Sequence, residues 1–306
     1  MATAKKVIDF MKLRHLFAAL SLAVTLLGVG SIAVKGFSFG LDFTGGTRIE
    51  VTFDKDQDLE KLRNALSAQG LDKAVVQSYG TLRDIVVRVP SADQAKVSDE
   101  VVESLKAVDS SVTLKQTEFV GPQVGDELKE KGGLGMLLAL GGVMLYVAAR
   151  FQFKFSFAAV LSLVHDVLVV LGVFSLFQIE FDLTVLAAVL AVIGYSLNDS
   201  IVVADRIREN FRKMRKASPL EVVNGAMTDT LGRTTITSLT TWLVVWALFL
   251  FGGDMIHGFA LALLVGIGVG TYSSVYVCAS LLIYLKVSRE DLLPPVKEGN
   301  EADELP

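Results

Sequence analysis

Residues 183–204 read LTVLAAVLAVIGYSLNDSIVVA. The first twelve positions carry no charge and a single hydroxyl, Thr184. As a helix rising 1.5 Å per residue, a stretch this long matches the ~30 Å hydrocarbon thickness of a bilayer. Its second half then departs from that simplicity, with Tyr195, Ser196, Asn198, Asp199 and Ser200 in close order. A charge inside a span costs about 2.5–3.5 kcal/mol on insertion scales, so Asp199 requires a reason.

Five further apolar blocks resemble this one: Leu16–Val34, Leu134–Ala149, Phe157–Phe177, Thr234–Phe251 and Phe259–Leu285. The chain has 306 residues, of which 52% are hydrophobic, and these blocks hold most of them. The pattern predicts a membrane-embedded bundle of six helices. The second block is short, and its helix is expected to begin near Asp126. Lys5, Lys6, Lys12 and Arg14 precede the first block, which is longer than the apolar core of a signal peptide and lacks a small-residue cleavage site after it. It reads as an uncleaved first span.

Several function classes are excluded at this level. A net charge of −4 names no partner, and no aromatic–basic patch of the nucleic-acid-binding kind occurs. The one cysteine, Cys278, lies in an apolar block, so neither a disulfide nor a cysteine metal site is available. No G-x-x-x-x-G-K-[ST] phosphate loop is present, which removes ATP hydrolysis by that route. The expectation is a protein that is not an enzyme and holds no cofactor.

Short loops set the orientation, because Lys and Arg gather on the cytoplasmic side. Arg150 and Lys154 join spans two and three. Arg206, Arg208, Arg212, Lys213, Arg215, Lys216 and Arg233 lie between four and five, and Lys286 and Arg289 follow six. Gln178–Asp182 and Gly252–Gly258 have neither residue type. Both termini are therefore expected in the cytoplasm, with residues 36–131 outside. That stretch predicts strands at Arg48–Phe53, Ala74–Tyr79, Arg83–Val89 and Ser111–Val120, and helices at Asp58–Ala68 and Asp93–Ala107. The β-α-β-β-α-β order is that of the α+β ferredoxin-like fold. The expected organisation is residues 1–35 as N-terminus and first span, 36–131 as the outer domain, 132–287 as spans two to six, and 288–306 as a disordered cytoplasmic tail.

Two sets of residues carry candidate chemistry. Span four presents Ser196, Asp199 and Ser200 on one helical face, with Asn198 beside them, and span three contains His165 and Asp166. Span five opens with Arg233, Thr237, Thr240 and Thr241 at helical spacing. Asp199 and Arg233 fall at similar depth. A carboxyl group in a low-dielectric interior resists ionisation and a neighbouring guanidinium opposes that effect, so a balanced group can exchange a proton. Arginine stays charged and serves as the counter-charge. The alternatives are a static ion pair, with the Ser/Thr run as packing glue.

The second set consists of glycine-bearing segments flanking the outer domain. GLDFTGGT (40–47) includes Gly40, Asp42, Gly45 and Gly46, and VGPQVG (120–125) includes Gly121, Pro122 and Gly125. Turn chemistry explains them locally. Their position where the domain joins the spans also fits a hinge. Gly266 and Gly270 in span six form a small-residue pair suited to close helix packing.

Those two segments, LNDSIVVADRIREN (197–210) and GRTTITS (232–238), in this order relative to six spans, resemble the SecF family of bacterial protein-export membrane proteins. The related SecD family has a much longer outer domain. The resemblance covers nearly the whole chain and implies membership of the resistance-nodulation-division superfamily, whose six-span halves pair. It implies a heterodimer with SecD, association with the SecYEG channel and with YajC and YidC, unfolded preprotein as substrate, and protons as the coupling ion. It places the proton-path carboxylate at Asp199 and the membrane arginine at Arg233, in a multi-pass protein of the inner membrane. Competing readings are a half-size proton-coupled exporter of small solutes, a non-transporting scaffold, and an intramembrane hydrolase, the last without a recognisable catalytic spacing.

Overall fold

The computed structural model describes residues 7–90, 94–288 and 290–292. Lys5, Lys6, Asp93, Arg289 and the 293–306 part of the tail lie outside the described residues.

A 3-10 turn at Phe10–Leu13 leads into α1 (Arg14–Lys35), followed by a short strand β1 (Ser38–Phe39) and one helical turn, α2 (Leu41–Thr44). An α/β unit comes next: β2 (Gly46–Thr52), α3 (Leu59–Ala68), β3 (Val75–Tyr79), β4 (Thr81–Val89), α4 (Gln94–Lys106) and β5 (Thr113–Val120). Then come α5 (Pro122–Arg150), α6 (Phe153–Phe177), β6 (Glu180–Phe181), α7 (Leu183–Lys213) and α8 (Pro219–Phe251). The last long helix is built from α9 (His257–Ser273), a π-helical stretch at Ser274–Cys278 and α10 (Ala279–Tyr284).

Among the described residues, six helices are long and apolar enough to cross a membrane; five contain an expected apolar block whole, and the sixth, ending at Tyr284, contains all of its block but Leu285. Their ends differ from expectation for local reasons. α5 starts at Pro122 rather than near Asp126, because proline at the first helical position costs no hydrogen bond. α8 starts at Pro219, well before Thr234. Ser218 accepts from the Glu221 backbone N–H while the Glu221 carboxylate accepts from the Ser218 N–H, a capping box. The added turns bury Val222, Val223, Ala226 and Met227 against Val203, Ile207 and Phe211 of α7. The N-terminal segment is fastened to the same turns, with Met11 N–H donating to Asn224 Oδ1 at 3.1 Å and Ile8 N–H to Thr228 Oγ1 at 3.1 Å.

The main sheet has the order β3-β4-β2-β5, and each neighbouring pair is antiparallel. In β2, buried Ile49 and Val51 alternate with half-buried Arg48, Glu50 and Thr52. The buried set meets Leu62 and Leu66 of α3 and Val101 and Leu105 of α4. Each such aliphatic side chain contributes about 1.5–3 kcal/mol by leaving water. On the other side, Asp84 accepts from Lys115 at 2.5 Å, Thr52 at 2.8 Å and Thr81 at 2.8 Å. Those donors, Lys115 first, hold its carboxyl down at about 2. A depressed carboxylate contributes stability that is present above the ordinary value near 3.8 and lost as pH falls through the folded value. Amide protection in β2 and β4 of the intact protein is therefore expected to drop between pH 4 and 2, and Asp84→Asn to flatten that dependence.

A second, two-stranded sheet ties the α/β unit to the bundle. β1 pairs in parallel with β6, Ser38 opposite Glu180 and Phe39 opposite Phe181. β6 lies in the α6–α7 connection, so this contact places the α/β unit over one end of the bundle, here termed the domain end.

Candidate functional site

α7 and α9 cross closely because glycines remove side chains from the contact. A Cβ on Gly266 would overlap Val192, and one on Gly270 would lie 3.1 Å from Ser196 Cβ. The small-residue interface expected from Gly266 and Gly270 is therefore formed, and α7 is its other half. The crossing brings the polar stripe of α7 into the interior, where Ser196, Asp199 and Ser200 are all buried.

Two polar clusters result, not one. In the first, the Ser238 hydroxyl of α8 donates to Asp199 Oδ2 at 3.4 Å, and Thr271 of α9 donates to Ser238 at 2.8 Å. In the second, fully buried Asp166 of α6 accepts from Ser196 of α7, from Ser273 of α9 at 2.7 Å, and meets His165 Nδ1 at 2.9 Å. Hydrogen bonds to a charged acceptor contribute about 1.5–3 kcal/mol each, and more is lost when a buried one is left unmade. Both clusters draw on three helices, and α7 and α9 belong to both.

The expected partnership of Asp199 with Arg233 is not a bonded one. Arg233 lies on the exposed side of α8, and among the described residues it forms no ion pair with Asp199, acting on it only through space. The geometry explains this: Arg233 and Ser238 are five residues apart, about 140° around a helix, so one faces outward when the other faces α7. Asn198 and Thr237 are exposed as well. The Thr237 hydroxyl donates to backbone carbonyls of its own helix, at 3.0 Å to Arg233 and 3.1 Å to Thr234. Of the residues singled out in sequence, Ser196, Asp199, His165 and Asp166 are interior, while Asn198, Arg233 and Thr237 are exposed. Ser238, Thr271 and Ser273 were missed. Their signal, a hydroxyl facing inward on an apolar helix, is weak until the neighbouring helix is known.

At the domain end the two glycine segments meet. Gly45 has φ +66° and Gly46 φ +117°, both left-handed backbone that favours glycine. A Cβ on Gly45 would lie 2.7 Å from Pro122 Cα, and one on Gly125 would lie 2.9 Å from the Gly45 nitrogen. Gly121 caps α5 with extended backbone, and Pro122 follows as its first helical residue. Gly40 donates its N–H to the Phe181 carbonyl at 2.9 Å, and a Cβ there would meet Asp182 at 2.9 Å. Asp42 Oδ2 accepts from the Leu183 N–H at 3.0 Å, at the first residue of α7.

Phe37, Phe39, Phe43, Phe174 and Phe181 cluster around this junction. Arg88 of β4 pairs with Glu180 of β6. Burial pushes the Glu180 carboxyl above its ordinary range, against the pull of Arg88. The junction thus connects the α/β unit to the start of α7, the helix that carries Ser196 and Asp199.

Comparison with known proteins gives a consistent result. The family described as protein export membrane protein SecD/SecF, C-terminal, matches residues 100–288, and the SecD/SecF GG motif matches residues 30–57, which include Gly45 and Gly46. The chain is 53% identical over 290 residues to a protein translocase subunit SecF of Pseudomonas aeruginosa, covering 94% of each. It is 49% identical to the Vibrio alginolyticus SecF, covering 99% of this chain and 98% of that one. The SecF of Escherichia coli O157:H7 is 42% identical, with coverages of 98% and 94%.

Among solved structures, SecDF of Thermus thermophilus, a translocon-associated membrane protein, superposes with a TM-score of 0.85 at 38% identity, covering 94% of this chain and 40% of that one. A SecDF structure in a super-membrane-facing form superposes at 0.70 with the same identity and coverages.

Proposed function

The chain belongs to the SecD/SecF family of protein-export membrane proteins, and from that premise we propose that it couples proton movement within its bundle to motion of its α/β domain during preprotein export. It is a multi-pass membrane protein and a SecF-type translocase subunit, matching SecF proteins over nearly their whole length and only part of the SecDF chain. The proposals concern how it works, where it sits and what it pairs with.

The observation that carries the coupling is the two-ended contact of α7. Asp42 binds its first residue, and Asp199, buried and held by Ser238, lies sixteen residues further along, or ~24 Å of helix. A change in the charge of Asp199 changes its hydrogen bonds to α8 and, through Thr271, to α9, and the same rod presses on the junction. Protons are the coupling ion and no cofactor takes part. Arg233, on the outer face of α8, supplies a through-space counter-charge. A membrane potential of 100 mV provides ~2.3 kcal/mol per charge moved, which replaces the missing ATP site.

The finer structural assignments rest on the same footing. Element order and the strand order β3-β4-β2-β5 support a ferredoxin-like class for the α/β unit. The charge asymmetry of the loops supports placing it in the periplasm of a bacterial inner membrane, with both termini cytoplasmic. The exposure of the polar side chains Asn198, Arg233 and Thr237 on spanning helices supports pairing with a SecD-type bundle. Within that assembly, SecYEG, YajC and YidC are the expected neighbours and unfolded preprotein the cargo.

The test is preprotein movement in inverted membrane vesicles that contain the assembled complex. Discharging the proton gradient after translocation has begun is expected to stall the remaining movement in vesicles with the complex and to change little in vesicles without it. Equal sensitivity in both preparations would overturn the coupling and leave a scaffold.

A further inference from the structure

Asp166 sits near the middle of α6 with none of its surface exposed. Ser196 and Ser273 both donate to Oδ2, and His165 Nδ1 meets Oδ1. The groups around it are few. His165 is on its own helix, and buried Cys278 lies at the end of the π-helical stretch, within electrostatic reach of Asp166. α7 contributes Ser196, with Asp199 one turn further on, and α9 contributes Ser273. α1 lines the adjoining space with uncharged Ser21 and Thr25. Among the described residues, no Lys or Arg pairs with Asp166.

The heavy-atom arrangement serves two protonation states equally. With the carboxylate ionised, two hydroxyls and the Nδ1–H donate to it. With a proton on Oδ1, the carboxyl donates to an unprotonated Nδ1, and both serines keep donating to Oδ2. Only the histidine tautomer changes. A static clamp has no need of this equivalence, whereas a group that loads and unloads a proton does.

Asp166 reaches the edge of the bundle through His165. His165 borders two open side clefts, one of about 250 Å³ lined mostly by aliphatic side chains, with the hydroxyls of Ser21, Thr25, Tyr276 and Ser280 among them, the other of about 210 Å³ where Ser21 and Tyr272 stand among Leu20, Val24, Val169 and Val269.

We infer that Asp166 is a second proton-binding carboxylate of this subunit, exchanging its proton through His165, with Asp199 one helical turn beyond its partner Ser196 on α7. The transfer balances simply: His165 Nε2 gains a proton on its outward side as its Nδ1 gives one to Asp166 Oδ1, leaving a neutral imidazole and a neutral carboxyl. The inference rests on the proton-coupled reading above.

Its test measures proton uptake, with a pH-sensitive dye, into vesicles holding equal amounts of the assembled complex. Asp166→Asn keeps the side-chain size and an acceptor for both serines but cannot titrate. Uptake is expected to fall at least tenfold, with partial recovery in Asp166→Glu, and to fall no further when Asp199→Asn is added. His165→Gln, which retains a donor to Asp166, is expected to fall comparably and decides the matter if Asp166→Asn does not assemble. Wild-type uptake in these variants, beside loss in Asp199→Asn, would reduce Asp166 to a clamp and overturn the inference alone. No gradient-driven uptake in the wild type, or none lost in Asp199→Asn, would instead sink the coupling on which it rests.

Discussion

Asp199→Asn is expected to lower gradient-dependent export to the level of cells lacking the protein, with membrane abundance and complex assembly unchanged. The substitution is nearly isosteric and keeps an acceptor for Ser238, so the α7–α8–α9 packing has no reason to loosen. What it removes is the only ionisable group of that cluster. Asp199→Glu restores titration but adds a methylene in a crowded site, which typically costs 1–3 kcal/mol, and partial recovery is expected. Export assays at matched protein levels check both. Normal export in Asp199→Asn would remove this residue from the proton path.

Gly45→Val is expected to be as damaging by another route. At φ +66° a β-branched residue is strained, and the new Cβ falls 2.7 Å from Pro122 Cα, a backbone atom with no room to withdraw. Strained backbone costs about 1–3 kcal/mol and overpacking a similar amount. The junction should open, exposing the Phe39–Phe43–Phe181 cluster to protease, while the sheet keeps its own core. Export is expected to fail although Asp199 is intact. Gly30→Ala is the control, since a Cβ there meets nothing within 4 Å. A Gly45→Val protein with wild-type export and protease resistance would show that the junction carries no motion or force.

The spans were legible because hydropathy is a sum over about twenty residues and survives local noise. The early start of α8 was hidden by its charges, although Ser218 and Glu221 at capping-box spacing announce it. The β1–β6 pair had no signal at all, being two residues on each side and about 140 positions apart. In the site, Asp199 declared itself through the cost of a buried charge. Its partner did not. Helical spacing tells which residues of one helix share a face but not which helix that face meets, so Arg233 took the place that Ser238 occupies. The glycine segments read correctly as special backbone, yet their mutual contact is a tertiary fact that neither segment contains.

The small parallel sheet has a consequence for how the molecule is made. Strands β2 to β5 are complete once Val120 has been synthesised, but Glu180, Phe181 and Leu183, which hold the finished unit in place, come about sixty residues later. At ~5–20 residues per second, that is an interval of roughly 3 to 12 seconds. Throughout it the newborn domain hangs by its two flanking helices, with Phe39 and Phe43 not yet covered by Phe181 and the Asp42 carboxylate waiting for its backbone donor. Attachment to the α6–α7 connection is therefore a late, separate event in biogenesis, open to any chaperone that reaches those aromatic side chains first.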